Sequence, residues 1–106
     1  MTRNEALELI ERIPYIRAIQ APSDKILEEH LEQAIAKQDC LEWIKIIKTL
    51  YIRGNDTSKR YKPLSANIAE IGLTAKKLLH TELASALDIA YAEVEDFISN
   101  HLAATI

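Results

Sequence analysis

Apolar residues recur along this chain at the three-and-four spacing of helices, and no stretch alternates with the two-residue period of a strand. The widest apolar surface belongs to residues 39–54, DCLEWIKIIKTLYIRG. On a helical wheel Cys40, Trp43, Ile44, Ile46, Ile47, Leu50 and Tyr51 fill an arc of roughly 160°, with Glu42, Lys45, Thr49 and Arg53 on the opposite side. A helix this widely apolar is expected at the centre of the fold, covered on two or three sides. Asp39 followed by Glu42 reads as a capping-box-like start, and Gly54 as the left-handed residue that ends the helix.

The pattern predicts four more helices. The first begins at Thr2, whose hydroxyl forms a capping box with Glu5; Ala6, Leu9, Ile10 and Ile13 line one face, and Pro14 stops it. Residues 14–22 read as an extended connector whose Tyr15, Ile16 and Ile19 lie on the core. Ser23 caps a second helix running to about Gln38, with Leu27, Leu31, Ala34 and Ile35 inward and Glu28, Glu29 and Glu32 outward. Residues 54–65, GNDTSKRYKPLS, carry the punctuation of a loop. Ser65 then caps a long helix to about Leu87, with an inward stripe of Ile68, Ile71, Gly72, Ala75, Leu78, Leu79, Leu83 and Ala86. Glu82 falls within that stripe, so its carboxylate is expected to grip a backbone terminus, a tyrosine or a basic side chain. A last helix runs from about Ala90 to Leu102 on Tyr91, Val94, Phe97, Ile98, His101 and Leu102. The expectation is an all-α, compact five-helix domain over residues 1–106, with a buried central helix at about residues 40–53.

At 106 residues such a domain can bury a core without metals or disulfides. The single cysteine sits on an apolar helix face, no apolar run approaches the ~20 residues of a membrane span, and MTRNEALEL lacks the form of a signal peptide. A cytoplasmic location is expected. His30, His80 and His101 are far apart, Cys40 has no histidine near it in sequence, and two glycines cannot build a phosphate loop. Adjacent Glu28 and Glu29 point about 100° apart on a helix, which disfavours a carboxylate pair. No catalytic residue, metal site, cofactor or small-molecule substrate is therefore expected, and the chain does not read as an enzyme.

Charge changes the picture. Residues 1–44 carry five basic and nine acidic side chains, residues 45–77 eight and two, and residues 78–106 five acids with no Lys or Arg. The middle third is strongly basic inside a chain of net charge −3. Lys45, Lys48 and Arg53 lie on the third helix, Lys59, Arg60 and Lys62 surround Tyr61 in the loop, and Lys76 and Lys77 lie on the outer side of the fourth. If the two helices pack together through that loop, these cations gather on one face suited to phosphates, without base readout. The alternative is a protein-interaction module using the acidic side chains Glu28, Glu29, Glu32, Glu93, Glu95 and Asp96, without direct DNA binding.

Five segments in order, EALELIERIP, SDKILEEHLEQAI followed by Asp39, EWIKIIKTLYIR, Leu64-Ser65, and AKKLLHTELASAL closed by AEVEDFI, span nearly the whole chain. Together they resemble the helical C-terminal domain of the CarD/CdnL family of bacterial transcription regulators. The resemblance implies a domain that approaches promoter DNA at the upstream edge of the transcription bubble and stabilises the open complex. It also implies RNA polymerase as partner, reached through an N-terminal Tudor-like β domain that this chain lacks. The chain then reads as an excised C-terminal domain or, as the alternative, an unusual stand-alone version, with the first preferred. Characterised relatives wedge a tryptophan into the minor groove from the start of the second helix; the matching position here is about Asp24. Trp43, on the apolar face of the third helix, does not inherit that role. The basic face of the third and fourth helices is then the expected DNA surface.

Overall fold

Thr2 and Glu5 satisfy each other's backbone: the Thr2 hydroxyl accepts from the Glu5 N–H at 3.1 Å, and the Glu5 carboxylate accepts from the Thr2 N–H at 2.9 Å. The helix they start opens a computed structural model that describes residues 1–54 and 65–105. The chain runs through α1 (Arg3–Arg12), a 3-10 turn (Ile13–Tyr15), α2 (Asp24–Ala36), α3 (Cys40–Gly54), α4 (Ala66–Leu87), a second 3-10 turn (Tyr91–Glu93) and α5 (Val94–Thr105). Among the described residues there is no strand, and no described helix is long and apolar enough to cross a membrane.

The predicted caps are in place. Ser23 accepts from the Ile26 N–H, Ser65 from the Ile68 N–H, and the Asp39 carboxylate from the Leu41 N–H at 3.0 Å. Glu42 does not complete a box with Asp39; its carboxylate pairs with Lys45 at 3.3 Å and reaches Lys37 at 3.9 Å. Helix ends differ from expectation. Gly54 is the last helical residue of α3, and no described glycine has a positive φ. The left-handed residues are Gln38 (φ 52°), just past α2, and Asp88 (φ 56°), just past α4. At Asp88 the Ile89 N–H turns back to the Ala84 carbonyl at 3.1 Å, the closing bond of a Schellman motif. The Arg3 guanidinium donates to the Leu87 carbonyl at 3.0 Å, placing a cation at that negative helix end.

α3 and α4 run antiparallel. Leu50, late in α3, meets Gly72, early in α4, whereas Ile44 shares a cleft with Leu79 and His80. A Cβ at Gly72 would run into Leu50 Cδ1, so the missing side chain lets these two helices close together. α2 packs against both, and α4 also touches α1 and α5. The core is built from Trp43, Ile44 and Ile46 of α3, the α4 stripe from Ile68 to Leu87, and Ala6, Ile10, Leu27, Leu31 and Val94. Trp43 is 6 % exposed and Ile46 fully buried, which bears out α3 as a buried central helix. Polar ties add to the packing: the Asn67 amide donates to Glu28 at 2.7 Å and Glu32 at 3.0 Å, linking α4 to α2, and His101 meets Glu11 at 3.1 Å, linking α5 to α1.

Several side chains lie elsewhere than the pattern placed them. Tyr15 is 85 % and Tyr51 71 % exposed, Leu78 is at the surface, and Glu82 is exposed, so no buried carboxylate needs a partner. Conversely Thr49, on the polar side of α3, is buried, as is His80. A wheel gives the relative directions of side chains, but the covering segments determine which direction is inside. Here residues 13–22 cross the polar side of α3 and bury it.

Candidate functional site

Pro14 ends α1, and in the 3-10 turn that follows the Ile13 carbonyl accepts from the Ile16 N–H at 3.2 Å. Lys48 supplies a further donor: its Nζ donates to the Ile13 carbonyl at 2.7 Å and the Ile16 carbonyl at 2.6 Å. One position further, the Thr49 hydroxyl accepts from the Ile19 N–H at 2.7 Å and donates to the Lys45 carbonyl of its own helix at 2.6 Å. One turn on, Arg53 Nη2 donates to Asp24 Oδ1 at 2.7 Å. Three residues of the supposed outer side of α3 thus fasten the connector and the start of α2.

The candidate cations are therefore distributed over more than one face. Lys45 pairs with Glu42 and borders a hollow lined by His30 and Gln33 of α2. Arg53 lies beside the connector with Asp24, the residue standing where the resembled family carries its wedge tryptophan. Lys48 faces the other way, into a cleft between α3, α4 and α5 that also carries His80 and Glu95. Lys76 belongs to this second side: it pairs with Glu95 at 3.5 Å, and its charge acts on His80. Lys77 is exposed, and its ammonium has no carboxylate within pairing distance among the described residues. Lys59, Arg60 and Lys62 lie outside the described residues. Lys48 lines this cleft and Lys76 reaches its Glu95, whereas Lys45 and Arg53 lie toward α2; Lys77 is exposed one position further along α4.

The acidic side chains are divided as well. Glu28 and Glu32 are spent on Asn67, and Glu95 on Lys76; Glu29, Glu93 and Asp96 are exposed on three different helical elements.

Two residues near Lys48 escaped sequence reasoning. Tyr51 is three positions further along α3, hence on the same helix face, and Tyr15 lies between the two residues whose carbonyls Lys48 holds. Both rings are exposed. Their one mark in the sequence is the phenol, an amphipathic group that suits a surface where one end stays wet.

Titration behaviour is modest. Burial pushes the His80 imidazole below its ordinary range, the charge of Lys76 adds to this, and Glu95 opposes it, so the ring is neutral at neutral pH. Its nearest aromatic neighbour is Tyr91, with ring centroids 5.7 Å apart. The Cys40 thiol is pushed up by burial and by the charges of Glu82 and Asp39, which keeps it out of the reactive thiolate form. Among the described residues no three His, Cys, Asp or Glu side chains are grouped to hold a metal ion. What the arrangement can do chemically is hold an anion at Lys48 and Lys76. Compared with family models, with curated proteins and with solved structures, the chain has no match in any of the three.

Proposed function

We propose that this chain is the helical part of a CarD-like transcription regulator that touches promoter DNA through its phosphates and thereby modulates open-complex stability. The observation that carries the reading is the placement of Lys48 and Lys76 around one cleft between α3, α4 and α5, with Lys77 exposed on α4 and Tyr15 and Tyr51 exposed near Lys48 or its bonded carbonyls in sequence. Five-helix architecture, expected from the resemblance, supports it too. Lys76 is available despite Glu95, because an exposed ion pair is worth only about 0–1 kcal/mol and a phosphate can replace the carboxylate. Lys48 spends two of its three N–H donors on backbone carbonyls and keeps its charge. Lys45 and Arg53 contribute less, since each faces the α2 side against a carboxylate. Asp24 offers no wedge: its carboxylate holds Arg53 and would repel a phosphate. Association with RNA polymerase would come through a β domain not contained in residues 1–106.

Fluorescence anisotropy with a forked promoter duplex, repeated over a salt series, tests this. Affinity should fall steeply with salt, and a Lys76→Glu/Lys77→Glu variant should bind more weakly with a log–log slope smaller by about 1 per lost contact. Undetectable binding at about 50 mM salt, or a variant that binds as well as the wild type, defeats the reading. Retention of a protein partner that is lost on reversing Glu29, Glu93 and Asp96 would instead favour the acidic interaction module.

A further inference from the structure

The cleft between α3, α4 and α5 contains a polar group that the protein leaves unpaired. His80 is 7 % exposed, and neither ring nitrogen has a hydrogen-bond partner among the described residues. A neutral imidazole carries one donor and one acceptor, and neither ring nitrogen is sealed from solvent, so both are open to whatever fills the cleft. Lys48 lines the same cleft with one ammonium N–H beyond the two held by Ile13 and Ile16, while Lys76 and Glu95 balance each other at 3.5 Å. One positive charge is left over. The remaining wall is hydrocarbon, chiefly Ile44, Ile47, Leu79 and Ile98, around a space of about 190 Å³. A dry apolar cavity of about 150 Å³ is enough to take a benzene ring. Apolar walls with a few convergent polar groups are the ordinary make-up of a small-molecule site.

We propose that this cleft binds a small apolar monocarboxylate, of the size of benzoate, with its carboxylate against the Lys48 ammonium and the His80 ring N–H and its hydrocarbon body among the isoleucines. The single uncompensated charge favours a monoanion, and the volume takes the body of a substituted ring or a branched short chain. The site goes beyond the DNA reading and does not depend on it.

The test is an amide NMR titration of the full chain, without nucleic acid, at constant ionic strength. Three probes are compared: sodium benzoate, benzyl alcohol, which keeps the body but lacks the charge, and sodium acetate, which keeps the charge but lacks the body. Benzoate should give saturable shifts centred on residues 44–48, 79–80 and 98–99. Benzyl alcohol should bind at least about tenfold more weakly, the loss of one charge-assisted contact, and acetate should not saturate. Lys48→Gln, which retains a donor for the connector but no charge, should weaken benzoate by about tenfold and leave benzyl alcohol unchanged. Because Lys48 also holds the connector, Ile98→Phe provides the second variant: it fills the cleft with the charge in place and should abolish binding of both ring compounds. Benzoate shifts that do not saturate or that centre elsewhere, equal binding of benzoate and benzyl alcohol, or undiminished binding to folded Ile98→Phe would each overturn the proposal. A negative result leaves the phosphate-contact reading standing, since no DNA enters the experiment.

Discussion

Lys48 and Lys77 carry the same charge and belong to the same basic third of the chain, yet the fold uses them differently. Lys48 sits under the connector with two backbone carbonyls on its ammonium; Lys77 projects from the outer face of α4 with no carboxylate within pairing distance among the described residues. The contrast extends to the helices. α3 is held on two sides, one packed with Trp43 and Ile46, the other fastened to residues 13–24 by Lys48, Thr49 and Arg53, while Tyr51 and Ile52 stay at the surface. α4 buries one stripe and leaves the other to solvent. A cation on a helix is therefore a binding group only where no neighbouring segment has a use for it.

The comparison can be broken at several points. Trp43→Ala should show the largest loss in urea unfolding, about 3–5 kcal/mol, because it empties the apolar side of α3. A loss under about 1 kcal/mol would mean that this side is not the core. Lys48→Met keeps most of the aliphatic stem but abandons the Ile13 and Ile16 carbonyls, and should cost about 2 kcal/mol. Thr49→Val, which strands the Ile19 N–H, should cost about 1–2 kcal/mol.

His80 tests the inward side of α4 through pH. Its folded-state pKa is depressed, so the folded protein holds fewer protons there than the unfolded chain. Its contribution to stability is complete above the ordinary histidine pKa of about 6.5 and is lost as pH falls through and below it. Urea midpoints should decline from neutral pH into the acid range, and His80→Phe should flatten that decline; an unchanged profile would count against a buried neutral imidazole. The smallest effect belongs to Lys77→Met, within about 0.5 kcal/mol of wild type. If Lys48→Met costs no more than that, the distinction between the two lysines fails.

Much of the fold was legible because its cues are local. Thr2 with Glu5, Ser23, Ser65 and Asp39 each act within three residues, and helix starts follow from such short-range bonds. The α4 stripe was legible apart from Leu78, Glu82 and His80. Helix ends were less so: Gln38 and Asp88 adopt the left-handed conformation although Gly54 was the residue best suited to it. The candidate site was legible only as a set of charges. Nothing near Lys48 in sequence shows that two connector carbonyls 32 and 35 residues away lie within its reach.

The order and amphipathic spacing of the residues determine five helices, their starts and the apolar side of α3, because these depend on hydrogen bonds and periodicities within a few residues. The path of residues 13–22 across α3 is a long-range matter. It turned the polar side of that helix from a candidate surface into an interior seam, separated Lys45 and Arg53 from Lys48 and Lys76, and exposed Tyr15 and Tyr51. His80 has no hydrogen-bond partner among the described residues and lines an apolar cleft. Such outcomes rest on which donors and acceptors the packing brings within reach, and that is a property of packed distances rather than of sequence neighbours.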